Sequence, residues 1–328
     1  MKRDVQIQLR AFTLIELMVT IAIIALLVGI LLPAIQASRT SAKVAGTKAT
    51  FQAIDTALET FKGHSALGGA YPPSASDSGD PYSVVMDPMP GSSDRILACG
   101  ANLLAFALQG ADALGTAGFV DLPDSSGSGN GLWWDDVDAA YSVTNGLPDA
   151  TRYEPFAGSD LQEKVSTINQ MLNDGTVVQT GSGSVDEAAG LPFYVDSWGR
   201  PILYYRARRA APVMVTNPGT EIGIYDQRDN QAFTGSNAGE VSIGLDFGAG
   251  TGHQIATSLY PSADPDASDL DSPGYSPSFG GGTFEQFIWD STVTVRNVPQ
   301  RRESYLLISA GQDALYGTSD DVTNWSRE

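Results

Sequence analysis

Hydrophobic and polar positions change their pattern twice along the chain. From Leu17 to Ile35, 19 consecutive positions carry no charge. At about 1.5 Å of rise per residue, a helix of that length spans close to the ~30 Å hydrocarbon core of a bilayer. Two residues fit poorly in a plain membrane anchor: Glu16 puts a carboxylate at the mouth of the run, and Pro33 interrupts it near its far end. Lys2, Arg3 and Arg10 precede the run. Such a basic leader stays on the cytoplasmic side and leaves the remainder of the chain outside. A secretory signal peptide cut after Ala37 is the plain alternative, but its apolar core would exceed the usual length of about 7–15 residues. It also gives no reason for Glu16.

After Pro33 the period shifts. Val44, Thr47, Phe51, Ile54, Leu58 and Phe61 recur at spacings of three and four, one stripe of an amphipathic helix. Lys43, Lys48, Gln52, Asp55, Glu59 and Lys62 lie off the stripe, and Gly63 is a terminator. The pattern predicts one helix from Phe12 to Lys62, with the stripe serving core packing.

Further on, "RILACGANLLAFALQGAD" (95–112) predicts a shorter helix, and "SDLQEKVSTINQMLND" (159–174) another, capped by Ser159 with Leu161, Val165, Ile168 and Leu172 on one face. "DLPDSSGSGNGLWWDD" reads as a surface loop, with Trp133 and Trp134 as packing residues. From Leu191 the runs "PILYYRAR", "APVMVT", "EIGIYD", "STVTVRNV" and "SYLLISAG" read as short strands bounded by turn residues. The fold expected is α+β: a long N-terminal helix, transmembrane then amphipathic, packed on an antiparallel β-sheet with long loops.

Composition narrows the function. With 35 Gly and 18 Pro, short strands and loops are favoured over a helical bundle. A net charge of −19 argues against nucleic acid or anionic lipid as the partner of the exposed body, and suits either a soluble acidic surface or one that collects divalent cations. The single cysteine, Cys99, excludes an intrachain disulfide and reads as a small core residue. The two histidines, His64 and His253, are isolated, and no metalloprotease, nucleophile-elbow, P-loop or Cys-x-x-Cys motif occurs. No catalytic residue is assigned, and an enzyme is not expected. The acids Asp264, Asp266, Asp269 and Asp271 lack EF-hand spacing and read as a solvated loop.

"AFTLIELMVTIAIIALLVGILLP" resembles the N-terminus of type IV pilin and pseudopilin precursors. The resemblance implies cleavage by a prepilin peptidase between Ala11 and Phe12, followed by N-methylation of Phe12. Glu16 then becomes the fifth residue of the mature chain and Pro33 the twenty-second, both in the family's register. Ala11 stands where the family usually has Gly. A carboxylate in the bilayer requires a partner. The family supplies one as the free amine of Phe12 on a neighbouring subunit. Pro33 removes a helical hydrogen bond and lets the helix bend or melt as subunits pack.

Two further segments are similar to the major pseudopilin of type II secretion. "DSWGRPILYY" (196–205) matches its Asp-Pro-Trp-Gly-Asn-Pro-Tyr segment, with Ser197 for the first Pro and Arg200 for Asn; Trp198 is expected as an anchor and Gly199 as a turn residue. "SAGQDALYGTSDDVTNW" (309–325) matches its C-terminal calcium loop, although Ala314 stands where Gly is common. Calcium takes about 6–8 hard oxygens. Asp313, Asp320 and Asp321 supply carboxylates, and the resemblance adds the carbonyls of Ala310 and Leu315 and an oxygen of Thr318. An acidic surface turn is the alternative.

The expectation is a leader 1–11, a membrane and assembly segment 12–38, and a periplasmic domain 39–328 with insertions at about 70–190 and 206–303. As a pseudopilus subunit the chain would polymerise with copies of itself and meet minor pseudopilins, prepilin peptidase, the inner-membrane assembly platform and membrane lipid. A surface pilus subunit, forming an extracellular filament for adhesion, motility or DNA uptake, and a membrane-anchored ligand-binding protein are the alternatives.

Overall fold

A computed structural model describes residues 14–64, 69–74, 85–86, 96–97, 99–110, 113, 115–116, 119–122, 131–134, 143–144, 147–148, 153–174, 178–179, 191–208, 224–234, 245–246, 255, 284–293 and 298–325. The chain divides into two compact units, Met1–Ala45 and Gly46–Glu328. Helix α1, Leu14–Gly63, contributes to both.

In the first unit α1 is apolar on every side. Its large side chains are exposed, from Leu14 at 76% to Ile35 at 39%. This stretch is long and apolar enough to be a single membrane-spanning anchor, the only one among the described residues. Glu16 falls in the first turn, where a carboxylate complements the helix dipole. The helix runs through Pro33. Proline has no amide hydrogen, so the Gly29 carbonyl loses its usual helical donor four residues on.

In the second unit the same helix turns amphipathic. Thr47, Thr50, Phe51, Ile54, Ala57, Leu58 and Phe61 are buried, which follows the predicted stripe, while Lys48, Gln52 and Glu59 are exposed. Phe61 meets the Phe156 ring edge-on at 5.3 Å, and Asp55 accepts a hydrogen bond from the Tyr305 hydroxyl.

The remaining elements are short. The pairs β1 (Val85–Met86) with β2 (Ile96–Leu97), β3 (Phe119–Leu122) with β4 (Gly131–Trp134), and β5 (Val143–Thr144) with β6 (Leu147–Pro148) are two-stranded and antiparallel. Trp133 and Trp134 therefore belong to a strand pair, not to a loop. The predicted helix 95–112 shortens to α2, Gly100–Gln109, because β2 claims its first turn. All ten residues of α2 are buried, and it packs on β9 (Pro192–Tyr194) and β10 (Leu203–Arg206).

The predicted helix 159–174 is interrupted. It becomes α3 (Ser159–Gln162), β7 (Val165–Thr167) and α4 (Ile168–Asn173), and the cap of α3 is Gly158. The Val-Ser-Thr run pairs with β9 in the register Val165↔Tyr194, Ser166↔Phe193, Thr167↔Pro192. Thr167 and Gln170 then restart the helix by exchanging amide-to-side-chain bonds, a capping box.

The central sheet is antiparallel in the order β10, β12 (Tyr305–Ser309), β13 (Val322–Thr323). All five residues of β12 are buried, as expected of the middle strand. A 3-10 turn, Gln227–Asn230, leads into α5 (Gln231–Thr234); α6 is Phe284–Ile288, and β8 (Val178–Gln179) pairs with β11 (Leu245–Asp246). Of the predicted strands, "APVMVT" lies outside the described residues, Ile224–Asp226 forms a bend, and Ser291–Val293 is a turn. The fold is α+β, a long apolar N-terminal helix with antiparallel sheets, consistent with the pilin-like architecture.

Candidate functional site

The C-terminal turn after β12 collects the acids. One carboxylate oxygen from each of Asp313, Asp320 and Asp321 lies within 4.8 Å of the other two. Left-handed backbone builds the turn. Gly311 sits at φ +65°, and a Cβ there would come within 2.4 Å of the Asp320 carbonyl oxygen. Ala314 also adopts a positive φ, 64°, a backbone region that glycine occupies without strain.

Backbone amides then aim the carboxylates. Gln312 and Asp313 donate to Asp320 Oδ2 at 2.8 and 3.1 Å, Leu315 donates to Asp313 Oδ1 at 2.8 Å, and Gly317 donates to Asp321 Oδ2 at 2.8 Å. The Thr318 hydroxyl lies 2.7 Å from Asp320 Oδ1, 3.2 Å from Asp321 Oδ1 and 3.3 Å from the Leu315 carbonyl. Its one proton serves one of these oxygens at a time. The two neighbouring acids respond in opposite directions. Burial first, and then the charge of Asp320, push the Asp313 carboxyl up. Burial also pushes on Asp320, but the Thr318 hydroxyl and the amides of Asp313 and Gln312 outweigh it and hold that carboxyl below its ordinary value.

The gathered set is hard oxygen throughout: three carboxylates, a hydroxyl and a carbonyl. All-oxygen donors suit a hard divalent cation, and ion–oxygen distances of about 2.3–2.6 Å would place opposed ligands about 5 Å apart. Of the six ligands expected from the sequence, Asp313, Asp320, Asp321, Thr318 and the Leu315 carbonyl come together; Ala310 is fully buried at the entry of the turn.

The Trp-Gly segment forms a second turn beside β12. Gly199 adopts φ +78° and its amide donates to the Asp196 carbonyl. Trp198 and Arg200 amides donate to Asp196 Oδ1 at 2.7 and 2.9 Å, and Ser309 at the end of β12 donates its hydroxyl to Oδ2 at 2.5 Å. Asp196 is 3% exposed, and its burial raises its pKa against these bonds. The organiser of this turn is therefore Asp196, which the sequence reading passed over in favour of Trp198 and Gly199. The signal was present: Asp at the first position of a turn with Gly three residues later.

A buried polar cluster on the other side of β10 also escaped the sequence. Asp229 Oδ2 accepts from Ser74 Oγ at 2.6 Å and Oδ1 from Arg208 Nη2 at 2.7 Å, with Asp226 3.6 Å from the same guanidinium. Asn230 accepts from the Ala101 amide at the start of α2 and donates to the Tyr204 carbonyl. These groups tie α2, β10 and the 3-10 turn together.

Ala11 and Phe12 lie outside the described residues; Glu16 and Pro33 stand on α1. Residues 10–32 match the family described as the prokaryotic N-terminal methylation motif. No curated protein and no solved structure matches the chain. The motif match, the anchor helix and the α+β fold together support a protein of the type IV pilin-like class.

Proposed function

We propose that the chain is a structural subunit of a type II secretion-like pseudopilus. A prepilin peptidase cuts between Ala11 and Phe12, Phe12 is methylated, and the processed chain waits in the inner membrane with its body in the periplasm. The observation that carries this reading is the methylation motif at residues 10–32 with Glu16 and Pro33 in register on an exposed apolar helix. In the filament, Glu16 pairs with the Phe12 amine of a neighbouring copy, while minor pseudopilins and the inner-membrane assembly platform direct polymerisation. No catalytic role is assigned.

The oxygen cluster supports a calcium clamp held by Asp313, Asp320, Asp321, Thr318 and the carbonyls of Leu315 and Ala310. Calcium neutralises carboxylates that otherwise repel, and its binding stabilises the folded subunit by mass action. The similarity of 196–205 and 309–325 to the major pseudopilin favours the secretion pseudopilus over a surface pilus.

The test is Glu16→Ala in cells carrying the assembly machinery. Filaments and subunit cross-links should disappear while membrane insertion persists. Unchanged polymerisation overturns the assembly role, and retained ligand capture without polymers identifies a monomeric anchor. Filaments recovered by shearing intact cells would identify a surface pilus.

A further inference from the structure

We propose that the turn Asp196–Arg200 couples the acidic C-terminal loop to helix α1 at Gly46–Thr47, so that order in one stabilises the other. The path is continuous. Gln312 and Asp313 amides bind Asp320, and a Cβ on Gly311 would meet the Asp320 carbonyl oxygen, so only glycine fits beside it. The Gly311 amide reaches Ser309 Oγ at 3.4 Å, and that hydroxyl donates to Asp196 Oδ2 at 2.5 Å. Asp196 Oδ1 in turn fixes the Trp198 and Arg200 amides. Between them, the Ser197 amide donates to Thr47 Oγ1 on α1 at 3.2 Å.

The contact with α1 is close. A Cβ on Gly46 would lie 2.6 Å from Ser197 Oγ, and Thr47 is fully buried. The Ser197 amide is the donor on which this link depends, and a proline at 197 would have no amide hydrogen to give. Coupling between two sites is reciprocal: whatever orders the loop protects α1 near Thr47, and loosening α1 loosens the loop.

In its calcium arm this inference rests on the proposed clamp; in its mutational arm it does not. The experiment is hydrogen exchange by mass spectrometry on the full chain in detergent micelles, read over peptides covering 46–54 and 311–321. Asp320→Asn and Gly311→Ala should each speed exchange in both peptides, by roughly fivefold or more at 46–54. In a Ser309→Ala background the same substitutions should leave 46–54 unchanged. Thr47→Val, nearly isosteric, should speed exchange at 311–321, which keeps the test decisive if Ser309→Ala fails to fold. Exchange at 46–54 that is the same in wild type, Asp320→Asn and Gly311→Ala overturns the coupling, as does a response that survives Ser309→Ala. Adding calcium chloride against chelator separates the two ideas. No binding heat refutes the clamp alone, whereas binding that protects 311–321 and leaves 46–54 unaltered refutes the coupling alone.

Discussion

Replacing Gly311 by alanine tests the construction of the acidic turn with a single methyl group. Two penalties combine. At φ +65° an L-residue bears a left-handed backbone cost of about 1–2 kcal/mol. The new Cβ would also meet the Asp320 carbonyl oxygen at 2.4 Å and its Oδ2 at 2.8 Å. The first of these is backbone and cannot swing aside, so the loop must shift, as in overpacking, at about 1–3 kcal/mol. The total is ~2–5 kcal/mol. For a unit of this size each kcal/mol moves the melting temperature by roughly 2 °C, so a drop of roughly 4–10 °C is expected. Differential scanning calorimetry of the full chain in micelles reads it directly. Gly63→Ala is the internal control: nothing lies within 4 Å of its would-be Cβ, and its melting temperature should stay within about 1 °C. A Gly311→Ala protein that melts with the control refutes the close approach of Gly311 and Asp320.

Other perturbations reach separate parts of the molecule. Asn230→Ala strands the buried Ala101 amide and Tyr204 carbonyl and should cost about 2–5 kcal/mol by denaturant unfolding, without affecting the acidic loop. Asp229 gives a pH signature: burial first, opposed by Arg208 and reinforced by Asp226, raises its carboxyl from 3.8 to about 6. A raised acid stabilises the fold fully below its unfolded value and loses that contribution as pH climbs to the folded value. Between pH 4 and 6, wild-type stability should therefore fall relative to Asp229→Asn, and parallel pH profiles would refute the assignment. Removing calcium with chelator should lower the melting temperature; an unchanged curve together with no calcium heat in calorimetry would sink the clamp. Thr167→Ala removes one half of a capping box and should cost about 1 kcal/mol by denaturant unfolding.

Elements whose stabilising contacts are close in sequence could be read from the sequence. Helix α1 is legible because its apolar run and its later stripe are local periodicities, and the acidic turn because its three carboxylates fall within nine residues. The segment 159–174 misleads for a related reason: its leucines keep helical spacing, yet Val165–Thr167 is recruited by a strand almost thirty residues away. The capping box at Thr167 and Gln170 was the local sign that a second helix begins there. The Asp229–Ser74 bond joins residues 155 apart, and the Asn230–Ala101 bond spans 129. Neither polar residue carries a pattern that names its partner. The acceptor of the Ser197 amide, Thr47, lies 150 residues earlier, so nothing local to Ser197 names it.

The bond from Tyr305 to Asp55 spans 250 residues and joins the first helix to the middle strand of the central sheet. Ribosomes add about 5–20 residues per second, so roughly 12–50 s separate the synthesis of the two ends. Throughout that interval the stripe from Thr47 to Phe61 has been made and its closing strand has not. The nascent chain must keep this face from aggregating until the strand Tyr305–Ser309 has been made. A chain terminated before Tyr305 therefore carries the apolar helix without the strand that closes its stripe, a product for proteases to remove.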